Sequence, residues 1–105
     1  MSDVQQRIDD LVKGHKVVLF MKGTAQFPQC GFSGRAMQIL KACNAGEITT
    51  VNVLEDDGIR QGIKEYANWP TIPQLYINGE FVGGSDIMME MYQAGELQQV
   101  LAGGQ

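Results

Sequence analysis

The chain of 105 residues is long enough for one domain with its own hydrophobic core and too short for two. With 44% hydrophobic and 19% charged residues, the composition excludes a disordered or collagen-like chain. The 8 Lys and Arg against 12 Asp and Glu give a net charge of -4, the wrong sign for a protein that neutralises nucleic-acid phosphates.

Membrane and secreted classes are also disfavoured. No apolar run approaches the ~20 residues of a membrane-spanning helix, and the opening residues lack the basic start and apolar stretch of a signal peptide. The sequence therefore predicts a cytoplasmic protein that contacts neither membrane nor nucleic acid. Its two cysteines, Cys30 and Cys43, are expected to be reduced, and with one histidine they are too few for a four-ligand structural zinc site.

The N-terminal part predicts a helix followed by a buried strand. From Val4 the apolar residues recur at i, i+4, i+7 and i+8, Ser2 and Gln5 have the spacing of a capping box, and Gly14 is placed to end the helix. The run from Lys16 to Met21 is apolar without alternation, which indicates a central strand covered on both faces.

A strand, helix, strand unit is predicted next. Residues Lys22 to Gln29 contain glycine and proline and are predicted to form a loop. A helical apolar pattern then runs from about Gly31 to Ala42, and the Thr- and Val-rich stretch Ile48 to Leu54 suits a second strand. The connecting helix makes these two strands parallel.

The next stretch predicts a third helix and a hairpin. Asp56 or Asp57 can cap the helix, which ends before Trp69. The runs Gln74 to Ile77 and Glu80 to Gly83 are separated by an Asn-Gly dipeptide, which favours an antiparallel hairpin with a type I′ turn.

The C-terminal part predicts one more helix. Ser85 or Asp86 can cap a helix through Tyr92, with a turn or two continuing past Gly95. The tail Ala102 to Gln105 is predicted to fray.

The element order predicts an α/β fold, a four-stranded mixed sheet with helices on both faces. The sequence shows no internal repeat, linker or low-complexity segment, so residues 1–105 are expected to form a single domain.

Cys30 is the candidate for chemistry. It directly precedes a predicted helix, whose free N–H groups and positive dipole end favour the thiolate. Thiol pKa values of about 8.5 fall to roughly 3.5–7.5 at such positions, and Lys22 at the end of the first strand would add to this. Cys30 is therefore predicted to be a nucleophile or a metal ligand; the alternative is a cysteine that packs in the core.

Cys43 is predicted to be a core residue because it lies on the apolar face of the same helix. A helix rise of ~1.5 Å per residue puts the two cysteines on the order of 20 Å apart, too far for a disulfide.

Three stretches in register resemble the monothiol glutaredoxins of the Cys-Gly-Phe-Ser type. The resemblance covers nearly the whole chain and implies a thioredoxin-like fold with the element order given above. It also implies a cis bond before Pro73 that places the Ile72 backbone opposite Cys30. The stretches are Lys22-Gly23-Thr24 with Cys30-Gly31-Phe32-Ser33, then Trp69 to Gln74, and Gly83-Gly84-Ser85-Asp86.

Ser33 stands where a second cysteine would resolve a mixed disulfide, so intramolecular dithiol catalysis is excluded. What remains is a mixed disulfide resolved by an outside thiol, or coordination of a metal by the lone thiolate. The resemblance implies a two-iron two-sulfur (2Fe-2S) cluster between two subunits. Each subunit would contribute Cys30 and the sulfur of one bound glutathione.

The resemblance also implies a glutathione site. Lys22 and Arg60 would face the glycyl carboxylate, and the Ile72 backbone would pair with the backbone of the glutathione cysteine. Ser85 and Asp86 would contact the γ-glutamyl end. The alternatives are that the cations are solvated surface charges and that the last two residues cap a helix.

Three functions are open at this point. The first is a carrier rather than an enzyme: a homodimer that holds a glutathione-ligated cluster and passes it to acceptor apoproteins, with BolA-like proteins as partners implied by the resemblance. The second is a glutathione-dependent thiol-disulfide oxidoreductase with Cys30 as sole nucleophile. The third is an adaptor in which the thiol is idle. The long loop Gly23 to Gln29 resembles that of the cluster carriers and favours the first.

Overall fold

The computed structural model describes residues 2–103. The predicted α/β class and element order are confirmed, with a 3₁₀ helix and a fifth α-helix in addition. The fraying predicted for the tail concerns in part Gly104 and Gln105, which lie outside the described residues. In chain order the elements are α1 (Asp3–Gly14), β1 (Val17–Met21), α2 (Gly31–Ala42), β2 (Thr49–Asn52), the 3₁₀ helix (Val53–Glu55), α3 (Asp57–Ala67), β3 (Gln74–Ile77), β4 (Glu80–Gly83), α4 (Ser85–Gln93) and α5 (Glu96–Leu101).

The sheet has four strands in the order β2-β1-β3-β4. β1 runs parallel to β2, with Phe20 beside Val51, and antiparallel to β3, with Leu19 beside Leu75. Every residue of β1 and β3 is buried, whereas the edge strands β2 and β4 are partly exposed. The predicted mixed sheet with the first strand inside it is therefore confirmed.

Helices cover both faces of the sheet. Neighbouring side chains of a strand point to opposite faces, so β1 contributes to two cores. Leu19 and Met21 pack with α2, α4 and α5, while Val18 and Phe20 pack with α1 and α3. This two-sided burial explains why β1 is apolar at every position. Within residues 2–103, each helix is too short or too polar to cross a membrane.

Ser2 begins α1 as predicted, since its Oγ accepts a hydrogen bond from the Gln5 N–H at 3.1 Å. The second half of the predicted capping box is not formed. The Gln5 side chain instead donates from Nε2 to the carbonyl of Gly62 in α3, at 2.8 Å. The two helices pack closely there, because a Cβ at Gly62 would lie 2.6 Å from Val4.

The second strand is shorter than the predicted Ile48 to Leu54. It ends at Asn52, whose Oδ1 accepts a hydrogen bond from the Leu54 N–H at 3.0 Å and so begins the 3₁₀ helix. Asp56, one of the two predicted caps, accepts from the Ile59 N–H at 3.1 Å and begins α3.

The prediction that Ser85 or Asp86 caps α4 is wrong. Gly84 is the N-cap, and no side chain within the described residues caps the helix. A Cβ at Gly84 would lie 3.3 Å from the Pro73 carbonyl oxygen, a close contact that favours glycine at this position. Gly95, with φ of 77°, separates α4 from the last turns of the chain, which form α5.

The predicted hairpin is confirmed. Asn78 and Gly79 have φ values of 53° and 83°, both positive as a type I′ turn requires. The turn joins β3 to β4 and returns the chain toward Gly84 and α4.

Candidate functional site

A cleft of about 490 Å³ lies where the N-terminus of α2, the segment before β3 and the N-terminus of α4 meet. We call the side formed by residues 22–33 the thiol wall and the side formed by residues 70–73 and 85–86 the opposite wall. The cleft is lined by Lys22, Cys30, Phe32, Lys64, Pro70, Thr71, Ile72, Pro73, Ser85 and Asp86.

Cys30 is the N-cap residue of α2 and is partly exposed in the cleft. The backbone N–H groups of Ser33 and Phe32 at the start of α2 and the positive charge of Lys22 lie near its sulfur, although the side chain forms no cap hydrogen bond to the helix. The Ser33 N–H contributes most, and together these groups lower the pKa of the Cys30 thiol even though partial burial opposes them. The thiolate is therefore favoured, as the helix N-terminus predicts.

Ser33 stands where a second cysteine would lie, and it also has a structural role that the sequence did not predict. Its side chain is fully buried, and its Oγ accepts a hydrogen bond from the Lys22 N–H at 3.0 Å. The hydroxyl also lies near the Cys30 sulfur and makes the smallest contribution to the lowering of that pKa. Ser33 thus joins the end of β1 to the first turn of α2.

The loop between β1 and Cys30 is closed by hydrogen bonds. The Gln29 N–H donates to the Lys22 carbonyl at 2.9 Å, and Gly23 forms a bridge with Pro28. Gly23 has φ of +94°, and a Cβ there would lie 2.5 Å from the Gln29 nitrogen. The Gly23 N–H donates to Oδ1 of Asn52 at 2.9 Å, which ties the loop to the end of β2.

The opposite wall is held by a buried side chain. Gln74, the first residue of β3, is fully buried, and its Nε2 donates to the carbonyls of Trp69 and Thr71, each at 3.1 Å. Its Oε1 accepts a hydrogen bond from the Tyr76 hydroxyl at 2.9 Å. The bond between Ile72 and Pro73, in the same segment, is cis as the resemblance implies. Sequence reasoning missed Gln74; the signal was a polar residue in an otherwise apolar strand.

The N-terminus of α4 completes the opposite wall. Ser85 is buried and Asp86 is exposed, and both line the cleft. Because no side chain within the described residues caps α4, its first N–H groups are left for another acceptor. A helix N-terminus in this state favours an anionic group.

Two lysines supply positive charge to the cleft. Lys22 was predicted, but Lys64 of α3 was not. Arg60, predicted as the second cation, is not among the lining residues; it lies one helical turn before Lys64 on the same side of α3. The spacing of four residues between the two is the signal that could have pointed to Lys64.

The structure therefore brings together most of the predicted site residues. Arg60 is the one predicted residue that does not line the cleft. The residues it unites are Lys22, Cys30, Ile72, Ser85 and Asp86.

Two further residues lie away from the cleft surface. Trp69 packs against Phe81, with ring centroids 5.6 Å apart, and contributes its carbonyl to the Gln74 contact. Cys43 ends α2, packs against the core as predicted, and has its pKa raised by burial. The two cysteines occupy opposite ends of α2, and both are free thiols.

A family model described as Glutaredoxin matches residues 17–82. A monothiol glutaredoxin, ycf64-like, of Synechocystis sp. is 61% identical over 99 residues, which cover 94% of this chain and 92% of that protein. The chloroplastic monothiol glutaredoxin-S7 of Oryza sativa subsp. japonica is 52% identical over 99 residues, covering 94% of this chain but 58% of the longer rice protein. The chain belongs to the glutaredoxin family, and its predicted resemblance to the monothiol members is confirmed.

Solved structures of glutaredoxins are also similar to this chain. The reduced apo form of poplar GrxS14, in solution, is 54% identical with a TM-score of 0.83, covering 96% of this chain and 92% of the poplar chain. A buckwheat glutaredoxin-glutathione complex, from a crystal, is 23% identical with a TM-score of 0.84, covering 96% and 89% of the two chains. The second similarity concerns the fold alone. The predicted thioredoxin-like fold is confirmed.

Proposed function

We propose that this protein carries a 2Fe-2S cluster as cargo and passes it to acceptor apoproteins. The observation that carries the proposal is the isolation of Cys30. Its sulfur lines the cleft, its pKa is lowered, and Ser33 stands where a resolving cysteine would be. An accessible thiolate without a partner thiol is suited to metal coordination.

The ligand count supports a shared cluster. Iron-sulfur clusters usually take four thiolate ligands, whereas residues 2–103 contain no group of three or more His, Cys, Asp or Glu placed to hold a metal ion. One chain thus offers the single thiolate of Cys30. Two chains and two outside thiols complete the set, and we assign the outside thiols to glutathione. A homodimer around the cluster follows from this count.

The cleft supports the assignment at the glycyl end of glutathione. Its carboxylate would meet the ammonium groups of Lys22 and Lys64, which both line the cleft. Arg60, on the neighbouring turn of α3, is proposed as a further cation for the same group. The buckwheat glutaredoxin, which has the same fold, is solved as a complex with glutathione.

The other parts of glutathione match the opposite wall. The backbone of Ile72 is proposed to pair with the backbone of the glutathione cysteine, in the manner of an added strand. The γ-glutamyl carboxylate would accept hydrogen bonds from the uncapped N–H groups at Ser85 and Asp86. The Asp86 carboxylate would face the γ-glutamyl ammonium, so both charges at this end are compensated.

Outside ligands explain why such a cluster is transferable. Half of the ligands dissociate with small molecules, so delivery does not require opening a closed cage of protein cysteines. We propose acceptor apoproteins and a BolA-like protein as partners. The exposed rings of Phe27 and Phe32, 74% and 56% accessible, give the thiol wall an apolar surface for them. The cytoplasm remains the predicted compartment, although similar proteins include chloroplastic and mitochondrial ones.

Glutathione-dependent thiol-disulfide exchange is the second candidate, and the acidity and exposure of Cys30 favour it. The Cys30 thiolate would attack the glutathione sulfur of a glutathionylated protein, whose own thiolate leaves and takes a proton from water. A second glutathione would attack the resulting Cys30 disulfide. This step frees the Cys30 thiolate and forms oxidised glutathione.

Anaerobic reconstitution with iron, sulfide and glutathione tests the carrier. Wild type, Cys30→Ser and Cys43→Ser are compared, with glutathione omitted in a parallel set, by visible absorption and size exclusion. We expect colour and dimer together in wild type and Cys43→Ser. We expect neither in Cys30→Ser or without glutathione.

Two results would decide against the carrier. A colourless, monomeric wild type that reduces glutathionylated substrates favours the exchange enzyme. A Cys30→Ser variant that keeps both the cluster and the reactivity toward glutathione favours an adaptor with an idle thiol.

A further inference from the structure

The amide of Gln74 is the centre of a buried hydrogen-bond network behind the cleft. Gln74 is 0% exposed, and both polar ends of its amide have partners. Nε2 donates to the Trp69 and Thr71 carbonyls, while Oε1 accepts from the Tyr76 hydroxyl. A fully satisfied buried polar network of this kind fixes the groups that it joins.

The segment that Gln74 holds has few other ways to be fixed. Pro70 and Pro73 have no N–H, so they cannot tie the segment to a neighbouring strand or loop. The two carbonyls that Gln74 binds lie on either side of Pro70 and directly before Ile72. Gln74 therefore supports from inside the stretch whose outer face lines the cleft.

Tyr76 determines which way the amide points. Its hydroxyl donates to Oε1, which leaves the two N–H groups of Gln74 for the two carbonyls. Burial raises the pKa of the Tyr76 hydroxyl, so this donor keeps its proton over the working range of pH.

We propose that Gln74 is a positioning residue for glutathione: through the Trp69 and Thr71 carbonyls it holds Ile72 where the glutathione backbone pairs with it. This inference rests on the proposed glutathione site. It assigns selectivity for the tripeptide to a buried residue that lines no part of the cleft.

The role is separable from the chemistry of the thiol. The groups that lower the Cys30 pKa are Ser33, Phe32 and Lys22, all on the thiol wall. A change at Gln74 therefore alters the fit of glutathione while leaving the acidity of Cys30 unchanged. A general loss of structure would change both.

The test compares two disulfides. The Cys30 thiolate attacks one sulfur of oxidised glutathione, the S–S bond breaks, a Cys30-glutathione disulfide forms, and the second glutathione leaves as a thiolate. Bis(2-hydroxyethyl) disulfide reacts in the same way but lacks the peptide backbone that Ile72 would bind. We define glutathione selectivity as the rate of reaction with oxidised glutathione divided by the rate with bis(2-hydroxyethyl) disulfide.

Gln74→Met keeps the size of the side chain and removes its hydrogen bonds. We expect glutathione selectivity to fall about tenfold, because a misplaced Ile72 no longer aligns the tripeptide. The rate with bis(2-hydroxyethyl) disulfide and the pH midpoint of Cys30 alkylation stay as in wild type. Gln99→Met, an exposed glutamine of α5, is the matched control and leaves all three unchanged.

Tryptophan fluorescence reports on the segment without glutathione. Trp69 is the single tryptophan and its carbonyl is one of the two that Gln74 holds. We expect Gln74→Met, while still folded by circular dichroism, to make Trp69 more accessible to acrylamide quenching. Tyr76→Phe removes the bond that orients the amide and is expected to lose about two- to threefold in selectivity.

Each alternative result decides a separate point. Equal loss with both disulfides, or unchanged selectivity in a folded Gln74→Met, overturns the positioning role. If Gln74→Met does not fold, unchanged selectivity in Tyr76→Phe overturns it. If wild type itself shows no glutathione selectivity, the proposed glutathione site is wrong. The quenching of Trp69 then tests the role of Gln74 separately. Unchanged quenching in Gln74→Met or Tyr76→Phe means that Gln74 does not position the segment.

Discussion

The two walls of the cleft are built in different ways. The thiol wall is an exposed loop and a helix N-terminus, held by backbone hydrogen bonds such as Gln29 N–H to the Lys22 carbonyl and by the small buried side chain of Ser33. The opposite wall is held from inside the protein by the long amide of Gln74. The acidity of the Cys30 thiol comes from the first wall, and the proposed surface for glutathione lies on the second.

An accessible thiolate and a fixed peptide-binding backbone have different requirements, and the two walls meet them separately. A reactive thiolate needs exposed N–H donors and access for a partner, which an outer loop and a helix end provide. A surface that pairs with an extended peptide needs a fixed backbone, which a buried network provides. Substitutions on each wall should therefore change one property and leave the other.

The largest expected effect is a loss of stability at Gly23, where the loop of the thiol wall is packed most tightly. Gly23→Ala places a Cβ 2.5 Å from the Gln29 backbone nitrogen at a φ of +94°. We expect the free energy of unfolding to fall by about 2–4 kcal/mol, measured by urea denaturation. Gly31→Ala is the control, because a Cβ there meets no atom within 4 Å. Equal stability of the two variants would show that the loop adapts without strain.

A smaller effect is expected at Ser33. Ser33→Ala removes the hydroxyl that makes the smallest contribution to the lowered pKa of Cys30 but keeps the Ser33 N–H, which contributes most. The pKa of Cys30 therefore moves part of the way up toward its ordinary value. Since the thiolate is the reacting form, alkylation by iodoacetamide at pH 7 becomes slower, and its pH midpoint moves slightly upward.

Ser85→Ala is the matched control, because Ser85 is a buried serine of the opposite wall. It should leave the alkylation midpoint of Cys30 in place. A midpoint that stays at the wild-type pH in Ser33→Ala, or one that moves equally in both variants, contradicts the assignment of thiol acidity to the thiol wall.

The parts of this molecule that follow local rules were predictable from sequence. The bounds of α2, the hairpin from Gln74 to Gly83 and the position of Cys30 before a helix depend on periodicity, an Asn-Gly turn and chain order. These signals lie within a few residues of the features they determine. For the same reason the character of the thiol wall was correctly predicted.

The missed features depend on tertiary contacts. Gly84 is the N-cap of α4 and lies close to the Pro73 carbonyl, a contact between segments that sequence patterns do not show. Gln74 resembles an ordinary strand residue until its partners Trp69 and Thr71 are folded next to it. The rotation of α3 over the sheet, which decides which cation faces the cleft, is set by core packing.

The smallest expected effect concerns the cations of α3 and their distance from the cleft. Lys64 lines the cleft and Arg60 lies one turn away, so Lys64→Met should lower glutathione selectivity by about three- to fivefold and Arg60→Met by less. Lys22→Met should lower selectivity and also raise the Cys30 pKa, because Lys22 alone of the three contributes to that pKa. Lys41→Met, exposed at the far end of α2, is the control. A larger loss in Arg60→Met would mean that Arg60 reaches the carboxylate when glutathione binds, which would support the assignment made from sequence.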